Sequence, residues 1–136
     1  MDEILEFLLH QASFLYKGYG CKFVDSEVSK SFGNAFLDLI TEKVRFRLIR
    51  DRGQLFGDFT DVTSPLDKKI KFFSIGVVRK YLTGEMEFFD ELNANNATFL
   101  QKHFLNIEKL FDPSTLIETR KQLHKLEIER SKKLFG

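Results

Sequence analysis

The sequence predicts a single α+β domain over residues 1–136: an N-terminal helix, an antiparallel meander of three to four strands, then two to three C-terminal helices. Three observations predict it. Apolar residues recur at spacings of three and four near the start and through the last third, the helical period. Three alternating runs separated by short breaks occupy the middle. No repeat, low-complexity tract or Gly- and Pro-rich stretch divides the chain.

The first helix is carried by Ile4, Leu5, Leu8, Leu9, Ala12, Leu15 and Tyr16, which fall on one stripe. Asp2 is placed to cap it, Asp2 and Glu3 suit the positive end of its dipole, and Gly18 and Gly20 end it. A short strand is expected around Cys21 to Asp25. The alternating runs are Asn34 to Thr41, Val44 to Asp51 and Gln54 to Thr60. Arg52-Gly53 fits a two-residue hairpin turn, because Gly takes positive φ without steric cost. Pairing outward from it opposes Leu48 to Gly57 and Phe46 to Phe59. Pairing outward from Glu42-Lys43 opposes Leu39 to Phe46 and Leu37 to Leu48. The two registers agree, so Ala35, Leu37, Leu39, Val44, Phe46, Leu48, Leu55 and Phe59 share one face. On the other face Arg47 falls between Asp38 and Asp58, forming a carboxylate–guanidinium–carboxylate row. Phe36, Ile40, Ile49 and Phe56 surround that row, which makes this face too apolar for an ordinary solvated surface.

Downstream, Ser74 caps a short helix through Leu82, stopped by Gly84. A longer helix is expected from about Met86 to Phe111, with Asn93, Asn95 and Asn96 as points where it kinks or splits. Asp112-Pro113 signals the start of a last helix to about Lys133, with basic residues toward its negative end.

Composition narrows the function classes. The chain has 16 Phe and no Trp, so its core is expected to be phenylalanine-rich. Cys21 is its one cysteine, which excludes an intramolecular disulfide and any cysteine-based zinc cluster. An acidic Met1-Asp2-Glu3 start and the lack of a long apolar run point to a cytoplasmic protein with no membrane partner. Net charge is +1, but seven acidic residues against two lysines lie between Glu85 and Glu118, and six basic against two acidic between Arg120 and Lys133. Such blocks polarise a surface.

No motif for nucleotide binding, zinc hydrolysis or serine catalysis is present. His10, His103 and His124 sit on three different expected helices, each without a second ligand at i+3 or i+4, so no metal site is assigned. Cys21 lacks the cationic setting that activates a thiol and reads as structural. The row at Arg47 reads as a cross-strand ion pair rather than a catalytic carboxylate pair. No catalytic residue, cofactor or small-molecule substrate is therefore assigned. Two surfaces are left as partner contacts: the acidic group Glu85, Glu87, Asp90 and Glu91, taken first for its electrostatic reach, and the sheet face at Phe36, Arg47 and Phe56. The basic residues Arg120, Lys121, Lys125, Arg130, Lys132 and Lys133 supply an alternative, a small nucleic-acid-binding module, against which the near-neutral charge weighs.

The stretch Asn34-Ala35-Phe36-Leu37-Asp38-Leu39, then Val44-Arg45-Phe46-Arg47-Leu48-Ile49, then Asp51-Arg52-Gly53-Gln54-Leu55-Phe56 resembles small bacterial immunity proteins. These accompany polymorphic toxins, including contact-dependent growth-inhibition systems, and have a strand–Asp-Arg-Gly–strand hairpin with flanking helices. The resemblance covers residues 34–59. It implies stoichiometric binding of a cognate toxin domain, often a nuclease. It carries over no functional residue, because such proteins share no catalytic residues and their toxin-facing surfaces differ.

Overall fold

A computed structural model describes residues 1–29, 34–67, 69–85 and 90–135. Two short helices, α1 (Asp2–Gln11) and α2 (Phe14–Lys17), precede strands β1 (Lys22–Val28), β2 (Ala35–Ile40), β3 (Val44–Asp51), β4 (Gln54–Asp61) and β5 (Phe73–Ser74). Helices α3 (Ile75–Thr83), α4 (Ala94–Leu110) and α5 (Leu116–Phe135) follow. The strands form one antiparallel sheet in the order β1-β2-β3-β4-β5. The expected α+β class and element order hold, with one more strand than the meander required.

The register of the central strands is the one the alternation demands: Leu37 opposes Leu48, Leu39 opposes Phe46, Phe46 opposes Phe59 and Leu48 opposes Gly57. Both central residues of the β3–β4 turn have positive φ, +52° at Arg52 and +84° at Gly53. That geometry matches the twist of the flanking strands. The β2–β3 turn uses a different device: the Thr41 hydroxyl accepts from the N–H groups of Lys43 and Val44, both at 3.2 Å.

Ala35, Leu37, Leu39, Val44, Phe46, Leu48 and Phe59 are buried on the helix-bearing face with Ile4, Leu8, Leu15, Leu100, Phe104, Ile107 and Phe111. The phenylalanine-rich core is real: Phe46 and Phe59 stack with centroids 4.4 Å apart and planes within 10°. Gly57 makes that stack possible. A Cβ there would lie 2.7 Å from the Phe46 ring and 3.0 Å from Leu92, so only hydrogen leaves room.

Several expected boundaries move, each for a local reason. The first helix breaks at Ala12-Ser13, and Gly18 stops the short second piece. Asp2 lies inside α1 rather than capping it; Met1 holds the cap position without a side-chain bond. The strand expected at Cys21 to Asp25 runs on to Val28, with a bulge between Phe23 and Asp25. Ser74 caps α3 as expected, and Gly84, at φ +77°, ends it. The long helix expected from Met86 begins only at Ala94, because Asn93 caps it by accepting from the Asn96 N–H at 3.0 Å. Asn93 is therefore a start signal, with Asn95 and Asn96 in the first turn of α4, and the part of the expected helix at residues 86–89 lies outside the described residues. Asp112 caps a turn through the Ser114 N–H, and α5 starts three residues after Pro113, at Leu116. No helix among the described residues is long and apolar enough to cross a membrane.

Helix α5 buries only Thr119 and Leu123. Leu116 and Leu126 pack half-buried against the core, and charge supplies the rest of the attachment. Arg120 binds the fully buried Asp61 at the end of β4, Lys71 meets Glu127 at 3.3 Å, and Arg130 reaches Asp90 at 2.8 Å and Ser74 at 3.3 Å. The helix thus runs along the β4–β5 side of the sheet. Burial would raise the Asp61 pKa, but hydrogen bonds from Thr63, Ser64 and Arg120 outweigh it and hold the group at about 2.

Two consequences are measurable by urea unfolding. Gly57→Ala is expected to destabilise the fold by about 1–3 kcal/mol, because the methyl overpacks the Phe46 ring. Arg120→Ala is expected to cost about 3 kcal/mol at pH 7, since it leaves Asp61 buried without its cation. The carboxylate's own contribution is present above the ordinary carboxyl pKa near 4 and is lost as pH falls toward 2, so acid should shrink the difference between variant and parent.

Candidate functional site

The face of the sheet opposite the core is built by alternation. Register places Asp25, Asp38, Arg47, Asp58 and Ser74 in one row across all five strands. Asp38 is wholly buried there, and an isolated carboxylate could not remain so. Arg47 meets it with two parallel bonds, Nε to Oδ1 at 2.8 Å and Nη2 to Oδ2 at 2.9 Å. Arg45 adds a third at 2.7 Å to Oδ2.

The expected symmetric row is thereby corrected in one respect. Arg47 turns its whole fork to Asp38 and does not bridge to Asp58, although both carboxylates flank it in register. Arg45, two residues along on the same face, was the missed member. It was legible in principle, because residues i and i+2 of a strand project to one side.

Above this ion pair lie aromatic rings. The Arg47 guanidinium sits 4.1 Å from the Phe36 ring centroid and 4.5 Å from that of Phe72. Stacking of this kind holds the planar fork in a single orientation. Phe72 comes from the connection into β5 and carried no periodic signal in the sequence. Phe36, Ile40, Arg45, Arg47, Ile49, Phe56 and Phe72 are all half-buried. A cleft of about 340 Å³ opens beside them, with Glu27, Phe36, Arg47 and Ile49 in its lining.

Asp58 occupies the unbridged side of the row. Burial pushes its carboxyl up to about 6, with Asp90 and Glu127 adding repulsion against the weaker pull of Arg47 and Lys71.

The acidic group divides. Asp90 is committed inside the fold: its carboxylate accepts from the Gly76 N–H at 3.0 Å, at the start of α3, and binds Arg130. Glu85 is exposed but paired with Arg79 at 2.7 Å. Glu91 is exposed, and its backbone bridges to Phe56. Glu87 lies outside the described residues. The two predicted surfaces therefore meet at Phe56 and Glu91, while Asp90 serves packing. Glu85, Asp90 and Glu91 all precede α4, which starts at Ala94.

The basic C-terminal helix is similarly divided. Arg120 and Arg130 hold α5 to the sheet, whereas Lys121 and Lys125 are exposed. His10, His103 and His124 stand on α1, α4 and α5, with His103 against Phe99 at 5.2 Å between ring centroids. Among the described residues no group of His, Cys, Asp and Glu is placed to hold a metal ion. Burial, with Glu108 nearby, pushes the Cys21 thiol up to about 12. At neutral pH it is a thiol and not a nucleophilic thiolate. No family model, curated protein or solved structure matches this chain.

Asp58 offers a pH test of this face. Its pKa is higher folded than unfolded, so the folded state holds the proton more tightly, and stability falls as pH rises from about 4 to about 6. Asp58→Asn is expected to stabilise the protein at pH 7.5 by up to about 3 kcal/mol, the upper bound for a two-unit shift. Urea midpoints should show the gain disappear as pH approaches 4.

Proposed function

We propose that this chain is a cytoplasmic immunity protein, which binds a cognate toxin domain stoichiometrically and neutralises it by occupying its surface rather than by turnover. The supporting observation is the sheet face around Arg47. It combines half-buried Phe36, Phe56 and Phe72 with a guanidinium already fixed by Asp38 and two rings. Aromatic and arginine anchors of restricted mobility are what a binding interface uses, because little conformational entropy is left to lose on docking.

The resemblance of residues 34–59 to immunity proteins of polymorphic toxins and contact-dependent growth inhibition points the same way. It makes the partner a bacterial toxin domain, with a nuclease as the leading kind. The rim of the face suits such a partner. Exposed Glu91 beside Phe56 would complement the basic substrate surface of a nuclease and speed its encounter. This reading moves the centre of the contact from the acidic group, where charge alone put it, to the sheet. Asp90 and Glu85 already have arginine partners within the fold. The alternative of nucleic-acid binding by α5 is weakened by the same logic, since Arg120 and Arg130 are spent on Asp61 and Asp90.

The test is co-expression with the toxin domain encoded by the adjacent upstream gene. Growth should be rescued, and size-exclusion chromatography with light scattering should show a one-to-one complex. Phe36→Ala should weaken that complex at least tenfold, about 1.4 kcal/mol, without altering the circular dichroism of the free protein. Failure to bind or neutralise any neighbouring gene product would overturn the reading.

A further inference from the structure

The two sides of the sheet are finished very differently. Beyond β4 lie β5, the bridge from Phe56 to Glu91, the Leu92 N–H bonded to Leu55 at 2.8 Å, and then α5. Beyond β1 the described residues place nothing, and all seven residues of that strand are exposed. Alternation along β1 can be phased from one bond. The Ser29 N–H donates inward to the Asn34 carbonyl at 2.7 Å, so Glu27 also faces β2, while Ser26 and Val28 turn their backbone groups outward. The Asp25 side chain accepts from the Ser26 N–H at 2.9 Å. The outward N–H of Val28 and the carbonyls of Ser26 and Val28 are left as a template for another strand.

The side chains of β1 state what that strand should be. Phe23 and Val28, opposite Leu39 and Ala35, extend the core side of the sheet and are 51% and 58% exposed, with the Phe23 ring 5.7 Å from that of Tyr16 on α2. Asp25 and Glu27, opposite Asp38 and Phe36, extend the Arg47 side, and Glu27 lines the cleft there. A second copy of this chain is a poor occupant in the registers that pair most of β1 with itself. Two-fold antiparallel pairing centred on Asp25, Ser26 or Glu27 sets Asp25 against Asp25, Asp25 against Glu27, or Glu27 against Glu27. Like charges directly opposite one another destabilise a strand pair. The same two carboxylates would be satisfied by a strand with Lys or Arg on that side.

We infer that β1 is the receiving edge for an extended partner segment of alternating basic and apolar residues, which adds a sixth strand to the sheet. The inference rests on the protein-docking reading above and deepens it. Main-chain hydrogen bonds supply affinity, Phe23 and Val28 cover the apolar side, and Asp25 and Glu27 select the basic side.

The probe is a capped heptapeptide alternating valine and lysine, with its valine–glutamate counterpart as control. Fluorescence anisotropy reads affinity, and amide NMR signals of Ser26 and Val28 read location. The lysine peptide should bind, shift and protect those amides, and weaken with salt; the glutamate peptide should bind at least tenfold more weakly. Val28→Pro removes an outward N–H without touching the β1–β2 ladder and should reduce binding at least tenfold with unchanged circular dichroism. Glu27→Lys should do the same and decides the matter if Val28→Pro misfolds. Equal binding of the two peptides, no binding of either, undiminished binding by the variants, or perturbation away from β1 would overturn the inference. So would a wild-type dimer that Val28→Pro converts to a monomer. If the peptide test fails while the co-expressed toxin is still neutralised, the edge assignment falls and the docking reading stands. If the peptide behaves as expected but no neighbouring gene product binds, the toxin identity falls instead.

Discussion

A carboxylate with no exposure to water constrains much of this molecule. Asp38 lies in the middle of β2 at zero solvent exposure, and burying such a charge costs several kcal/mol unless paired groups offset it. Arg45 and Arg47 from β3 supply three hydrogen bonds, and they can do so only in the observed register. A slip of one residue would carry Asp38 to the side of Phe46 and Phe59, away from Arg45 and Arg47, and would turn Leu37 and Leu39 outward. The ion pair and the apolar face therefore enforce the same pairing from opposite sides of the sheet. The arrangement also shapes the exposed face. An arginine tied down by Asp38 cannot retract, and the rings of Phe36 and Phe72 close around it.

The second constraint is how α5 is held. Leu123 is buried and Leu116 and Leu126 pack half-buried against the core, and arginines spaced ten residues apart, each bound to an aspartate, add a second line of attachment. At 1.5 Å per residue that spacing spans about 15 Å of helix, enough to brace the β4–β5 side along much of its length. Charges that look like an acidic patch and a basic patch in the sequence turn out in part to be each other's partners. Asp90 and Arg130 come from the two blocks and meet in the fold.

Once those groups are assigned to packing, the remaining surface has a simple logic. One side of the sheet is sealed by a short strand, a bridged segment and a helix; the other ends in an exposed strand. The face between carries aromatic rings and a fixed guanidinium. A surface of this kind, held in place and incompletely covered, is the basis of the docking proposal. Cys21 is held away from its reactive form by burial, and the carboxyl raised most clearly, Asp58, owes its shift to burial and to neighbouring acids.

What the chain determined locally was the meander. The register of Leu37, Phe46, Leu48 and Phe59, the turn at Arg52-Gly53, the cap at Ser74 and the stop at Gly84 were all legible, because each depends on residues close in sequence and on periods the backbone imposes. The α+β order followed from the same periods. Tertiary structure decided the rest. Which carboxylate Arg47 would choose depended on Arg45 and on two rings brought from β2 and from the approach to β5. Whether Asp90 would face a partner or an arginine depended on a helix forty residues away in sequence. Each of these outcomes is a competition between a local preference and a contact across the fold, and sequence spacing carries no information about distances that only folding creates.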